Sequence, residues 1–356
     1  MRRSEFAMTA AEAHQFLAEQ AAFHLASTRP DGAPILRTLH GVIVDGWLAF
    51  HSSPKGEKTS VVGRAAVAAS EDTVAVVPST FFDPVRACPA TTYYRSVQVH
   101  GVVEELTDPP LKARALQALM DKLQPPGGYA PITHDDPLYR AAVNGLLVAG
   151  LRLDHVDGKA KLAQNRKPHE LTALLDSLWR RGDVGDPRAL ELVRAANPDA
   201  TAPAFLAAPA GTTLHVWLPA TDAPAVAALL EGSYWNRDFT AAQIARAHRG
   251  SSAWIGARDG TGAVIASARA LADGGKLAWI YDVIVAPPWR GRGLGKRLVE
   301  LLLDHPTVRG TSRVMLGTRD AQPLYAAYGF VDRAALPPRD FVTTDMVLVR
   351  STSCLP

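Results

Sequence analysis

The segment at residues 283–303 carries residue types that could hold an anion. It reads VIVAPPWRGRGLGKRLVELLL, with three glycines and four basic residues between a β-branched run and a leucine-rich run. Glycines let backbone N–H groups approach an anion closely, and a helix start adds unpaired N–H donors and a partial positive charge. Arg290, Arg292 and Lys296 add mobile positive charge. The segment therefore predicts an anion site at a helix start, with a solvated glycine-rich turn as the alternative.

Two common phosphate-binding patterns do not fit this segment. A P-loop needs a glycine where Arg290 stands, and a serine or threonine where Arg297 stands. A dinucleotide-binding turn needs a third glycine where Lys296 stands. The pattern that remains is Arg-x-x-Gly-x-Gly, from Arg290 through Gly293 to Gly295, between a predicted buried strand and a predicted amphipathic helix.

This pattern resembles the acetyl-CoA-binding signature of the GNAT acyltransferase superfamily, a V-x-V-x-P strand followed by R-G-x-G-x-G. TRDAQPLYAAYGF (318–330) resembles the second signature of that family, Leu-Tyr followed by Gly-Phe. The resemblance covers roughly residues 211–350 and implies an α/β GNAT fold. It implies that backbone N–H groups hold the CoA pyrophosphate and that the strand from Val283 to Val285 splays for the pantetheine arm. The residues implied to bind acetyl-CoA are Val283, Val285, Arg290, Gly291, Arg292, Gly293, Leu294, Gly295 and Lys296.

The implied reaction is direct attack of an amine on the acetyl thioester. It needs a base for the amine proton, a donor for the thioester oxygen and an acid for the leaving thiolate. Tyr325 resembles the family's general acid, with aromatic packing under the last strands as the alternative, and the backbone N–H of Val285 is the implied donor. The base stays open between Asp282 and Asp320, and Asp320 could instead cap the following helix.

A third segment of the C-terminal half, SYWNRDF (233–239), resembles the acceptor side of such enzymes. The resemblance implies that Tyr234, Trp235 and Arg237 line the amine pocket, with core packing as the alternative for Trp235. The predicted activity of this half is therefore acetyl transfer from acetyl-CoA to a small-molecule amine.

A second group of candidate anion ligands lies in GWLAFHSSPKGEKTSVV (46–62). A predicted strand ends at His51, and the hydroxyls and two lysines that follow could bind a phosphate, with a polar hairpin loop as the alternative. Many short strands with one or two helices predict a small antiparallel barrel over roughly residues 1–167.

This N-terminal half resembles the pyridoxamine 5'-phosphate oxidase-related split barrels, particularly the nitroimidazole-resistance branch. LRTLHGVIVDGWLAFHSSPKGEK, YYRSVQVHGVVEE and DGKAKLAQNR carry the resemblance over about residues 10–168. It implies FMN at a homodimer interface, with Lys55 and Lys58 competing for one phosphate role. The residues implied near FMN are Arg37, Thr38, Ser52, Ser53, Lys55, Lys58, Ser96, Gln164 and Arg166. Some relatives bind haem, for which His40, His51 and His100 offer axial ligands.

Length and composition suit a two-domain globular protein. The chain has 356 residues, 47% hydrophobic and 21% charged, with a net charge of +3 and both signs interspersed. These values predict no nucleic-acid partner, and the lack of a long apolar run predicts no membrane span. Cys88 and Cys354 form no disulfide framework or metal-ligand spacing, which favours a cytoplasmic location.

The predicted organisation is an all-β split barrel with flanking helices at residues 1–168, a helical, Ala/Pro-rich linker at 169–210 and the GNAT domain at 211–356. Within the barrel, we expect a helix over 9–20, hairpins at Asp31-Gly32 and Asp45-Gly46, and one strand through NGLLVAGLRLDHVDGKAK. The predicted function is bifunctional, acetyl transfer with a flavin-dependent redox domain. The alternative is a barrel that binds FMN or haem as a non-catalytic sensor or sequestration module.

Overall fold

The computed structural model describes residues 4–124 and 127–336, together with Met346 and Leu348. The chain forms a β-rich N-terminal domain with flanking helices and a C-terminal domain built on a mixed sheet. The predicted fold class is confirmed. The rest of the predicted 211–356 domain, including Cys354, lies outside the described residues. In the part of the chain that the structure describes, no helix has the length and apolar character needed to cross a membrane.

The N-terminal domain has two antiparallel sheets with one core between them. Its elements are α1 (Ala10–Glu19), β1 (Phe23–Thr28), β2 (Pro34–Leu39), β3 (Val42–Val44), β4 (Trp47–Ser52), β5 (Ala65–Val77), β6 (Thr91–Val102), β7 (Glu104–Glu105), α2 (Pro109–Leu123), α3 (Pro137–Gly145), β8 (Leu147–Arg152) and β9 (Val156–Lys161). The strand orders are β2-β1-β5-β6-β9 and β3-β4-β8-β7. Apolar residues of both sheets, such as Leu25, Phe50 and Val97, fill the space between them.

Local sequence explains several of these elements. Asp45 and Gly46 have φ values of 46° and 78°, the two positive angles that a tight type I′ hairpin needs, and they join β3 to β4. Gly32, with φ of 83°, lies in the turn between β1 and β2. Thr9 and Glu12 form a capping box that starts α1. The predictions of both hairpins and of the first helix are confirmed.

The prediction of one strand through residues 144–161 was wrong. Residues up to Gly145 end α3, and two strands follow, β8 in the four-stranded sheet and β9 in the five-stranded sheet. The chain turns at residues 153–155 and passes from one sheet to the other. The apolar pattern continues through this corner because both strands face the shared core, so periodicity alone did not reveal the break.

Two helices follow the N-terminal domain, α4 (Pro168–Arg181) and α5 (Asp186–Ala196). They occupy most of the interval that the sequence predicts as a linker. One face of each is apolar, and Leu174, Leu178 and Leu190 are fully buried. These helices therefore form part of a core.

The C-terminal domain is a five-stranded sheet with helices on both faces. Its elements are β10 (Thr212–His215), α6 (Ala223–Leu229), α7 (Ala241–Arg249), β11 (Ala253–Asp259), β12 (Val264–Ala272), β13 (Leu277–Val285), α8 (Leu294–Asp304), α9 (Pro306–Arg309), β14 (Arg313–Met315) and α10 (Gln322–Ala326). The strand order follows the chain, and every pair is antiparallel except β13 with β14, which is parallel.

One continuous core joins the two domains. The outer ends of β5 and β6, including Val77 and Tyr93, pack in the same cluster as α4, α5, the C-terminal sheet and α8. Asp72 on β5 accepts hydrogen bonds from Arg95 on β6 and from Arg188 on α5. The N-terminal sheet therefore reaches into the core that supports the C-terminal sheet.

Candidate functional site

The glycine loop between β13 and α8 has the backbone that the sequence suggests. Gly291 and Gly293 have φ values of 74° and 83°, which residues with a Cβ rarely adopt, and Gly293 is the N-cap of α8. A side chain at either position would meet no protein atom within 4 Å. Backbone conformation, and not protein packing, therefore requires these glycines, and the space beside them is open to a ligand.

The basic side chains of the loop divide into one that is fixed and two that point outward. Arg290 donates from Nε to the carbonyl oxygen of Val285 at 3.0 Å, which fastens the loop to the end of β13. Arg292 lies over the Trp289 ring at 4.9 Å, and Lys296 is exposed on the first turn of α8. Exposed positive charge at a helix N-terminus suits a phosphate.

The strand that leads into this loop has an open edge. Among the described residues, β14 pairs only with Leu277–Trp279, whereas β13 continues to Val285. Val283 and Val285 are half-buried in this unpaired part. An unpaired strand edge presents backbone N–H and C=O groups to a ligand. Val283 to Val285 thus lie on a stretch of β13 whose edge β14 leaves unpaired among the described residues.

Tyr325, the candidate general acid, is buried in the C-terminal domain. It lies on α10, is 8% exposed and makes an edge-to-face contact with Phe330 at 5.8 Å. Burial, and then the neighbouring Tyr234, raise the pKa of Tyr325 above the ordinary value of a phenol. The hydroxyl is therefore protonated at neutral pH and can donate a proton.

Asp282, one candidate base, is held by three donors. Its Oδ1 accepts from Trp235 Nε1 at 3.0 Å and from Asn236 Nδ2 at 2.9 Å. Its Oδ2 accepts from Arg269 Nε at 2.6 Å. The Asp282 side chain is only 4% exposed, so these contacts account for nearly all of its surroundings.

Asp320, the other candidate base, is exposed and pairs with the adjacent Arg319 at 3.0 Å. It does not cap the following helix, because Ala321 N–H donates to the hydroxyl of Thr318 instead. Neither candidate carboxylate is a buried, unoccupied proton acceptor.

Residues 233–236, the first part of the predicted acceptor segment (233–239), lie between β13 and the loop before α10. The Tyr234 hydroxyl accepts from the backbone N–H of Arg319 at 3.1 Å, and the Arg319 guanidinium lies 3.8 Å from the centre of the Tyr234 ring. Trp235 is 38% exposed. Arg237, the third residue predicted to line the amine pocket, is largely exposed and 3.8 Å from Asp238. Sequence reasoning missed Asn236 and Arg269, which carry no motif of their own.

In the N-terminal domain, part of the predicted FMN site forms a cavity of about 380 Å³ between the ends of β2 and β4. It is lined by Thr38, Leu39, His40, His51, Ser52, Ser53, Lys58 and Leu146. Lys58 lines the cavity and Lys55 does not. This difference favours Lys58 as the candidate phosphate ligand. Burial, followed by the charge of Lys58 and by His40, lowers the pKa of His51. The imidazole is therefore neutral at neutral pH.

Arg166 lines a second cavity, of about 430 Å³, near the outer ends of β6 and β9. Its lining is Phe6, Cys88, Pro89, Ala90, Thr91, Tyr93, Tyr94, Lys159, Lys161, Asn165 and Arg166. The sequence had not singled out Lys159 and Lys161. Their spacing of two on a strand places both on one face, which was the available signal.

The two cavities are far apart within one chain. Thr38 is in register with Gln98 of β6 through His24 and Ala69, three strand spacings away, or about 14 Å. Tyr94 of the second cavity lies a further four residues along β6, or about 13 Å. One chain does not bring the predicted FMN residues into a single site.

The remaining predicted cofactor residues have partners elsewhere. Arg37 pairs with Glu57, and both Gln164 side-chain atoms bond nearby backbone groups. Ser96 lies mid-strand on β6, opposite Lys159 of β9. Of the three histidines, His40 bonds the carbonyl of Ala21, and His100 is 3.5 Å from Asp157 and outside the first cavity.

Each half of the chain matches the model of a known protein family. The family model for pyridoxamine 5'-phosphate oxidase matches residues 9–160, and the model for the GNAT acetyltransferase family matches residues 220–330. The chain joins one domain of each family. The family predictions made from the sequence are confirmed.

Similarity to curated proteins is confined to part of the chain. Glucosamine 6-phosphate N-acetyltransferase 1 of Oryza sativa subsp. japonica is 36% identical over 73 residues, 20% of this chain and 44% of the relative. The Arabidopsis thaliana glucosamine 6-phosphate N-acetyltransferase is 41% identical over 56 residues, 16% and 38% of the two chains. The chain thus spans less than half the length of these curated relatives.

Solved structures match each half separately. A GNAT-family protein of Xanthomonas campestris pv. campestris has 32% identity and a TM-score of 0.32, over 36% of this chain and 93% of that one. An FAD- and haem-binding protein of Mycobacterium smegmatis has 19% identity and a TM-score of 0.38, over 44% and 74%.

Proposed function

We propose that the C-terminal domain transfers the acetyl group of acetyl-CoA to an amine of a small molecule. The observation that carries this proposal is the juxtaposition of a helix N-terminus with two left-handed glycines, the open edge of β13 and a buried, protonated Tyr325. The loop residues from Arg290 to Lys296 would bind the CoA pyrophosphate, and the open edge would receive the pantetheine arm.

The proposed reaction forms one bond and breaks another. The amine nitrogen attacks the thioester carbonyl carbon, the C–S bond breaks, and the amine loses a proton. Tyr325 donates a proton to the leaving thiolate, and the backbone N–H of Val285 is the proposed donor to the thioester oxygen. Glucosamine 6-phosphate is the first acceptor to test, because the curated relatives are named for it.

The test of this proposal is acetyl-CoA binding by calorimetry. Gly293→Glu places a negative charge and a strained backbone at the anion loop, so we expect binding to weaken by about 100-fold. Gly260→Glu is the matched control, because it adds the same charge at an exposed turn where the residue has ordinary backbone angles. A wild-type chain without acetyl-CoA affinity would refute the proposal.

For the N-terminal domain, we propose that a homodimer binds FMN. Lys58 and the hydroxyls of Ser52 and Ser53 would hold the phosphate in the first cavity. Of the other predicted residues, Ser96, Gln164 and Arg166 lie in or near the second cavity, too distant to join the same site within one chain. A second copy would supply them, which supports an interface site.

Lys58 and Lys55 provide a matched test of the FMN site. Lys58→Ala removes a charge from the cavity, so we expect FMN affinity to fall about tenfold. Lys55→Ala removes the same charge outside the cavity and should leave FMN affinity and dimer mass unchanged. Equal effects of the two variants on FMN titration would refute the phosphate role of Lys58.

Haem is a second candidate because a neutral His51 lines the same cavity, and neutral imidazole is the metal-binding form. The visible spectrum of the purified protein separates the two cofactors. A Soret band that is lost in His51→Ala would favour haem, and flavin bands that persist in this variant would favour FMN.

A further inference from the structure

Residues 233–236, the first part of the acceptor segment, contact both sides of the opening between β13 and β14. On the β13 side, Trp235 and Asn236 donate to the carboxylate of Asp282. On the other side, Tyr234 accepts from the backbone of Arg319, in the loop between β14 and α10. The segment therefore spans the mouth of the opening in which acetyl transfer is proposed to occur.

A β-bulge aims Asp282 at this segment. The register of β12 with β13 shifts between Ser267 and Arg269, so that Asp282 and Val283 face a single residue of β12. Asp282 has a φ of 52°, in the left-handed region that aspartate tolerates better than most residues. As a result, Arg269 contacts both the Tyr281 ring, at 4.8 Å, and the Asp282 carboxylate. A regular strand would have sent the two side chains to opposite faces.

The surroundings of Asp282 hold its carboxylate in place through three donors. Arg269 and Asp282 form an ion pair in which both side chains are nearly buried. The three donors also occupy the oxygens that a base would use to accept a proton. The geometry of the carboxylate is thus suited to holding these donors in place.

We propose that Asp282 is a positioning residue whose carboxylate holds residues 233–236 across the opening between β13 and β14. Held in this way, Tyr234 stays beside Tyr325, and the exposed edge of Trp235 bounds the acceptor amine. The amine passes its proton to solvent water at the mouth of the opening. The role in acceptor binding rests on the proposed acetyltransferase function, whereas the contact that fixes the segment does not.

The first experiment measures hydrogen exchange in the full chain without ligands. The N–H groups of Ser233 and Asn236 are hydrogen-bonded to backbone carbonyls and report on the segment. In Asp282→Asn, we expect them to exchange about tenfold faster while α8 keeps its protection. Trp235→Phe removes one donor and no charge, and it should give a smaller change in the same direction.

Glu231→Gln is the matched control, because it removes an exposed carboxylate beside the segment. It should leave the exchange at Ser233 and Asn236 unchanged. Wild-type exchange of these amides in both Asp282→Asn and Trp235→Phe would overturn the proposal. This result does not depend on catalysis, so it stays informative even if the wild type binds no acetyl-CoA.

The second experiment separates positioning from base catalysis, with glucosamine 6-phosphate as acceptor. For Asp282→Asn, we expect the acceptor KM to rise about tenfold with a smaller change in kcat, because the acceptor side is displaced. The acid limb of the kcat/KM profile should persist, since it then belongs to the amine. Loss of this limb together with a collapse of kcat would identify Asp282 as the base and overturn the proposal.

Discussion

Two tyrosines of the second signature have different surroundings, and these define different roles. Tyr325 is buried beside Phe330, and Tyr234 lies close enough to influence its pKa. The Tyr328 hydroxyl donates to the backbone carbonyl of Lys296 and lies 3.2 Å from Glu300, so it ties this part of the chain to α8. Of these two tyrosines, Tyr325 is the one with the buried hydroxyl that suits the proposed proton donor.

We therefore predict that Tyr325→Phe lowers kcat by about 100-fold, because the thiolate loses its proton donor. Acetyl-CoA affinity, measured by calorimetry, should stay close to wild type. Since its pKa is raised, the phenol stays protonated through the ordinary phenol range, and the alkaline fall of kcat should begin above about pH 10.

Tyr328→Phe is the control for this prediction. It removes a hydroxyl that contacts α8 but not the opening, so it should raise the KM for acetyl-CoA and leave kcat near wild type. A normal kcat in Tyr325→Phe would remove Tyr325 from the role of acid.

At the scale of elements, sequence-based prediction succeeded best at positions where the backbone conformation requires a particular residue type. Gly291, Gly293 and the Asp45-Gly46 pair occupy left-handed conformations, and each was found from its residue type. The second cavity, the register shift in β12 and the contacts of Asn236 and Arg269 were not found. They depend on which distant strands and loops meet, and no local pattern encodes this information.

The short helix α9 begins at a buried histidine that makes stability depend on pH. His305 is the N-cap of α9, and burial, with a smaller effect from Arg309, lowers its pKa from 6.5 to about 4. The folded state therefore keeps His305 neutral where the unfolded chain would protonate it. The stabilisation is complete above pH 6.5 and is lost as the pH falls toward 4.

We predict that this linkage removes about 3 kcal/mol of stability between neutral pH and pH 4. His305→Asn keeps a side-chain acceptor at the N-cap but does not titrate. Denaturant unfolding measured across this pH range should show a shallower loss of stability in the variant than in the wild type. Parallel losses in the two proteins would contradict this assignment.

At the scale of the whole molecule, α4 connects the two domains through packed contacts. Trp179 stacks on Phe205 at 4.8 Å and donates to Asp304 of α8 at 2.6 Å. Arg309 of α9 donates to the carbonyl oxygens of Trp179 and Arg180. The helices of the segment predicted from its composition as a linker therefore pack in one core with the five-stranded N-terminal sheet and the C-terminal sheet.

Because of this shared core, we predict that Trp179→Ala lowers the free energy of unfolding by about 3–5 kcal/mol. It should lower the unfolding temperature of both domains together. Val184→Ala is the control, since Val184 lies between α4 and α5 and is 96% exposed. Calorimetry should give one transition, shifted only in Trp179→Ala. Two separate transitions, with one unaffected by this variant, would show that the domains unfold independently.

The reach of β5 and β6 into the shared core also has a consequence for synthesis on the ribosome. Their outer ends, with Val77 and Tyr93, are made early, but the residues that cover them continue to Leu302 and Val308. A chain is made at roughly 5–20 residues per second, so these apolar ends wait for more than 200 further residues, or on the order of 10 to 40 seconds. During that interval the apolar ends of β5 and β6 are exposed to solvent. We expect chaperones to bind the nascent chain at this exposed apolar surface.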